Sequence, residues 1–150
     1  MLSATAEHAV RALMQLAVLG REGAVTGKLL SGLAGIPPNY LSKILALLNH
    51  AGMISATRGS NGGYRLLKRA EQISLTDVVE LFDSPRWRRR CFLDCEHDCE
   101  ESASCAAHVA WRECREVFER FLDTTTIAAL AGSAHVPPAR TPEVKRRRAS

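Results

Sequence analysis

The stretch that decides the fold is Asn39-Tyr40-Leu41-Ser42-Lys43-Ile44-Leu45-Ala46-Leu47-Leu48, followed after Gly52 by Thr57-Arg58-Gly59-Ser60-Asn61-Gly62-Gly63-Tyr64. In its first half Leu41, Ile44, Leu45 and Leu48 recur at helical spacing and form one apolar stripe. Asn39, Ser42, Lys43 and Ala46 then fall on the opposite, solvent-facing side. Pro37 and Pro38 stop any upstream helix from running on and leave Asn39 to open this one, while Gly52 ends it. The second half is a glycine-rich turn between two short extended runs, 53–58 and 64–67. Asn61-Gly62 is a strong hairpin signal, because both residue types tolerate positive φ.

Upstream, Val10, Leu13, Met14, Ala17 and Val18 predict a helix over 3–19, started by Ser3 or Thr5 and ended by Gly20. A short helix capped by Thr26 is expected to bury Leu29, Leu30 and Leu33 before Gly35. Downstream, Ser74 with Asp77 three residues on reads as the cap of a fourth helix carrying Val78, Val79, Leu81 and Phe82. Residues 83–104 have little periodicity and hold most of the cysteines. A long amphipathic helix is predicted over 106–123, with Ala110, Cys114, Val117, Phe118, Phe121 and Leu122 on one face and Glu116 paired with Arg120 across a turn. Past Gly132, Pro137, Pro138 and the run Lys145-Arg146-Arg147-Arg148 read as a disordered basic tail.

Two short helices, a proline-bounded turn, a third helix and a glycine-rich hairpin are the order of a winged helix-turn-helix. The expected fold is therefore mainly α with a small β-wing. It divides into a DNA-binding domain (1–83), a cysteine-rich loop (84–105), a dimerisation helix (106–130) and the tail (131–150). The apolar face of the long helix is too large for a small winged domain to cover, which suggests a homodimer.

Bulk composition bounds the function. Hydrophobic residues make up 46% and charged ones 24%, the balance of a globular protein. No apolar run approaches the roughly 20 residues of a membrane span. Glu7, His8 and Arg11 interrupt the N-terminal stretch, so no signal peptide is read and a cytoplasmic location is expected. The net charge of +4 is unevenly spread. Residues 1–70 carry eight Lys/Arg against two Asp/Glu, and residues 71–130 seven against thirteen. A basic half beside an acidic middle fits a nucleic-acid face joined to a sensing segment, although scattered surface charge gives the same totals.

The chemistry of the third helix suits double-stranded DNA. A helix about 12 Å across fits the major groove, where base pairs present distinct donor and acceptor patterns. Asn39, Ser42 and Lys43 can bond bases or phosphates, and Arg58 at the base of the hairpin can reach phosphate or the minor groove. Arg65, Lys68 and Arg69 add positive charge beside the wing. No acid–base pair or nucleophile constellation accompanies them, so an enzyme is not expected.

The cysteines run Cys91-x3-Cys95-x3-Cys99-x5-Cys105, with His108 three residues further on and Cys114 on the long helix. Several thiolates within a short loop can wrap an iron–sulfur cluster or a metal ion. Asp94, Glu96, Asp98, Glu100 and Glu101 crowd the same loop, and added thiolate charge there calls for a cation. Three alternatives share these thiols: a cluster, a zinc or bare-thiol redox switch, and a small metal or electron carrier. The carrier leaves the wing unexplained. Cys114 is expected to pack in the core, His97 to sit in solvent and His8 to lie at the surface or an interface.

The run from Asn39 to Leu45, Gly52, the wing from Thr57 to Tyr64, and Ile73-Ser74-Leu75-Thr76-Asp77-Val78-Val79 together resemble the Rrf-type winged-helix regulators of bacteria, among them IscR, NsrR and RirA. The resemblance covers about residues 2–130 and is most specific at the wing. It implies a dimeric transcription regulator, often controlled by an iron–sulfur cluster of two or four irons. Its recognition positions fall on Asn39, Tyr40, Ser42 and Lys43, its wing arginine on Arg58, and its wing tip on Ser60 and Asn61. Its cluster cysteines fall on Cys91, Cys99 and Cys105, with Cys95 a competitor for the first place. For the fourth ligand it implies His108, as in IscR-like members, or Glu7 on the first helix, as in NsrR-like ones. The expected function is a repressor of a palindromic operator whose affinity follows redox, nitric oxide or iron status.

Overall fold

Helix α1 (Ala4–Leu19) is the axis on which the rest of the domain packs. The computed structural model describes residues 2–20, 23–59, 62–84, 92–93 and 107–132. Ser3 caps α1, its side chain accepting from the Ala6 amide at 3.1 Å. The buried face is Ala6, Ala9, Ala12, Leu13, Met14 and Leu16. Three alanines let neighbouring elements approach closely, and α2, α3, α4, α6 and the second wing strand all touch this helix. Val18, expected inside, is 49% exposed.

Helix α2 (Gly27–Ala34) is capped by Thr26, which accepts from the Leu29 amide at 3.3 Å. Gly35 follows at φ 65°, ψ 35°, the left-handed conformation that reverses the chain with no Cβ penalty. The turn into α3 (Pro38–His50) is pinned from inside, where buried Ser31 donates its hydroxyl to the Ile36 carbonyl at 2.6 Å. Leu30, Ser31 and Ala34 take the core face of α2. Leu29 and Leu33 stand 50% and 48% exposed, against expectation. The helix is too short and too tightly turned for its flank to reach the core as well.

In α3 the stripe Leu41, Ile44, Leu45 and Leu48 is buried as expected. The helix starts one residue early: Pro38 occupies its first turn, where a missing N–H is harmless. Strands β1 (Ile54–Thr57) and β2 (Gly63–Leu66) pair antiparallel, with Ile54 opposite Leu66 and Thr57 opposite Gly63. Val25 adds a bridge on the far side of β2, exchanging hydrogen bonds of 2.9 and 2.8 Å with Tyr64. In the hairpin Gly59 takes positive φ (110°) and the Gly62 amide closes onto its carbonyl at 2.9 Å, while Asn61 of the expected Asn-Gly turn lies outside the described residues.

After a 3-10 turn at Ala70–Gln72, α4 (Leu75–Phe82) opens with the Ser74–Asp77 capping box complete in both directions. The long helix α5 spans His108–Thr124, and a short α6 (Ile127–Gly132) follows that sequence periodicity did not suggest. A strand-like splice holds α6 in place, since the Leu75 amide donates to Thr125 and the Ile127 amide to Ile73, both at 2.9 Å. Ile127 is thereby fully buried. No helix among the described residues is long and apolar enough to cross a membrane.

The expected single apolar face of α5 proves to be two. Leu122 is buried and Phe118 packs against the core. Val117 (64% exposed), Phe121 (46% exposed), Ala110 and Cys114 form a second stripe facing outward. The two stripes lie about 100° apart, one helical step. Cys114 is therefore exposed in the chain, not packed in its core. Glu116 faces Arg112 at 4.0 Å and not Arg120, an exposed pair that adds little stability.

Candidate nucleic-acid interface and cysteine segment

Asn39, Ser42 and Lys43 lie together on the exposed side of α3, opposite its buried stripe. Ser42 donates its hydroxyl to the Pro38 carbonyl at 2.9 Å, so toward an outside partner it is left as an acceptor. Across a hollow from Ser42 lies Lys28, with Gly27, Pro38 and Tyr64 also in the lining. Lys28 is exposed at the first turn of α2. Sequence reasoning passed it over. The available signal was a lysine two residues after a Thr cap, where the helix dipole disfavours a cation and an anionic partner would favour one.

Arg58 is exposed just past β1, at the base of the wing. Ser60 and Asn61 lie outside the described residues. Three described basic residues near the wing lie elsewhere. Arg65, Lys68 and Arg69 rim a separate cleft against Leu16, Ala17 and Gly20 at the far end of α1. Arg69 is also engaged with Glu71 at 3.5 Å. Among the described residues Lys28 and Lys43 are thus exposed cations beside this side of α3, and Arg58 is an exposed cation of the wing.

Tyr40 is placed unlike its neighbours. It is half-buried, its hydroxyl hydrogen-bonds the Thr5 hydroxyl on α1, and its ring meets His8 edge-on at 5.5 Å and 88°.

Asp83, just before the cysteine segment, contacts α1, and Phe92 within it contacts α5. The Ser3 amide donates to Asp83 Oδ2 at 2.9 Å, tying the end of α4 to the first turn of α1, where Glu7 is exposed. Phe92 packs on Trp111 at 5.4 Å between ring centroids, with the planes tilted 49°. Trp111 lies one turn beyond His108, which is half-buried at the start of α5. Cys91, Cys95, His97, Cys99 and Cys105 lie outside the described residues. Among the described residues no three His, Cys, Asp or Glu side chains converge on a metal position. The donor set itself suits a cluster: soft thiolates in a short loop, with an imidazole or a carboxylate at either end of the segment.

A family profile described as "Rrf2: Iron-dependent Transcriptional regulator" matches residues 2–133. The protein rrf2 of Nitratidesulfovibrio vulgaris is 32% identical over 91% of this chain and 91% of its own. The HTH-type transcriptional regulator IscR of Erwinia tasmaniensis is 29% identical over 90% of this chain and 81% of its own. Among solved structures, CymR, the global cysteine regulator of B. subtilis, superposes with a TM-score of 0.76 at 22% identity, covering 90% of this chain and 98% of that one. This last likeness bears on the fold alone.

Proposed function

Because the chain belongs to the Rrf2 family of transcriptional regulators, we propose that it is a homodimeric, cytoplasmic repressor whose operator affinity follows an iron–sulfur cluster. The observation that carries the DNA side is the shared face of Asn39, Ser42 and Lys43 on α3, with Lys28 beside Ser42. Such a helix enters the major groove, the lysines and arginine fix its register on phosphates, and Asn39 and Ser42 read base edges.

Cys91, Cys99 and Cys105 hold the cluster in this proposal, and His108 completes the set. The Phe92–Trp111 contact supports His108 over Glu7, because it brings the cysteine segment to within a turn of the imidazole. When bound, the cluster supplies a group sensitive to oxidants, nitric oxide and iron supply, and it neutralises thiolate charge in an acidic loop. The chain's own residues do the rest. Phe92, next to Cys91, and Trp111 fasten the segment to α5, Ser3 and Asp83 fasten its start to α1, and the outward stripe of α5 pairs two chains.

Metal and sulfide analysis of anaerobically purified protein tests this directly. Stoichiometric iron and acid-labile sulfide, with operator affinity that changes when the iron is chelated, is the expected result. Zinc without sulfide, or tight operator binding indifferent to chelator and oxidant, would replace the cluster by a zinc site or bare thiols. A reporter fused to the operator should rise in expression when the chain is absent, and a fall would make it an activator.

A further inference from the structure

Of the four residues at the expected recognition positions, Tyr40 alone looks inward. Its phenol is held by two residues of the first turns of α1, the Thr5 hydroxyl and the His8 ring. The His8 ring is fixed in turn, since its Nδ1–H donates to the Ala4 carbonyl within the same helix. That end of α1 also carries the Ser3–Asp83 hydrogen bond, and Asp83 closes α4 where the cysteine segment departs. Asp83 and Tyr40 are thus both attached to the first two turns of α1, Asp83 through Ser3 and Tyr40 through Thr5 and His8, and the helix backbone joins the two attachments. On α3, Tyr40 is bonded directly to Asn39, and one helical turn carries it to Lys43.

We propose that Tyr40 is a positioning residue and not a DNA contact: through Thr5 and His8 it clasps the recognition helix to the start of α1. Movement of that helix end relative to Asp83 then carries Asn39, Ser42 and Lys43 across the groove. Packed helices shift as bodies and do not deform smoothly, so a small displacement at the clasp changes the fit of the whole reading face. This rests on the chain being a DNA-binding regulator controlled from its cysteine segment.

The test is a double-mutant cycle on the full-length protein with iron chelated, using Tyr40→Phe, Thr5→Val and the pair. The probe is a duplex selected by the wild-type protein from a randomised pool, beside an unselected duplex of equal length. Thr5 lies on α1 and serves the clasp only through Tyr40, which separates the alternatives. Each single change should weaken binding to the selected duplex about fivefold, and the pair no further, because both remove one hydrogen bond. Binding to the unselected duplex should stay within about twofold in all three, since no phosphate contact is lost.

If Tyr40→Phe weakens binding while Thr5→Val matches wild type, Tyr40 touches DNA and the clasp is wrong. A fall in thermal midpoint with an unchanged ratio of selected to unselected binding also overturns it, leaving Tyr40 a packing residue. In reconstituted protein, the affinity difference between loaded and chelated states should shrink toward one in both single variants and persist in Lys43→Ala. A wild-type protein with no such difference would sink the sensing function, while the cycle on chelated protein still decides the clasp.

Discussion

Arg58 and Lys43 lie on different elements of the proposed DNA interface, and their losses should look different. Arg58 sits at the base of the wing, where charge-assisted contact to phosphate or a narrow minor groove is available. Arg58→Ala should cost about 1–3 kcal/mol of operator affinity and flatten the salt dependence, as titrations at several ionic strengths would show. Lys43→Ala should weaken the operator more than random DNA if its ammonium reads a base. Equal affinity in both variants and wild type would take α3 and the wing out of the interface. Gly63 matters for a different reason. A Cβ there would sit 2.6 Å from the Val25 carbonyl oxygen, a backbone atom that cannot swing aside. Gly63→Ala should break the Val25–Tyr64 bridge and cost about 1–3 kcal/mol of stability in denaturant melts. An unchanged midpoint would show that the wing is not anchored through that bridge.

Among the elements, α5 carries the proposed assembly. Its inner stripe, Phe118 and Leu122, is spent on the domain core, so the outward Ala110, Cys114, Val117 and Phe121 are exposed among the described residues. Burying apolar surface is worth roughly 25 cal/mol per Å², and a second α5 crossing this one removes the stripe from water on both chains at once. Val117→Glu with Phe121→Glu should therefore yield a folded monomer by light scattering, because neither side chain supports the core. That monomer should lose palindromic DNA while keeping its melting transition. A wild-type protein found monomeric at micromolar concentration would remove the dimer.

For the molecule as a whole, sensing requires that the cysteine segment bear on the reading face. Among the described residues, Ser3–Asp83 at its start and Phe92–Trp111 next to Cys91 are attachments through which it can. Cys99→Ser and Cys105→Ser should abolish the visible absorption of the cluster, since a three-thiolate set has little redundancy. Cys114→Ser should leave the spectrum intact, its thiol being exposed on the outward stripe of α5. Of Cys91→Ser and Cys95→Ser, the first should bleach and the second should not. His108→Ala should make the cluster labile without preventing its assembly, and Glu7→Ala should not, a comparison that absorbance decay in air would read. The reverse pattern would assign the fourth ligand to α1.

What the sequence by itself determined is whatever depends on neighbours within a turn or two. The caps at Ser3, Thr26 and Ser74–Asp77 were legible because each is a bond across three residues. The stripe of α3, the proline boundary and the glycine-rich hairpin were legible for the same local reason, and together they specified a winged helix. Only the tertiary structure decided the contacts between residues far apart in sequence. Tyr40 meets Thr5 across 35 positions, Ser3 meets Asp83 across 80, and Thr76 bonds Asp123 across 47. Periodicity shows that a helix has apolar residues on a face, but not which of two adjacent stripes will meet the core, as α5 shows, nor that Leu29 and Leu33 will be left outside. Docking chooses among faces of similar hydrophobicity, because the burial that separates them exists only once the elements have met.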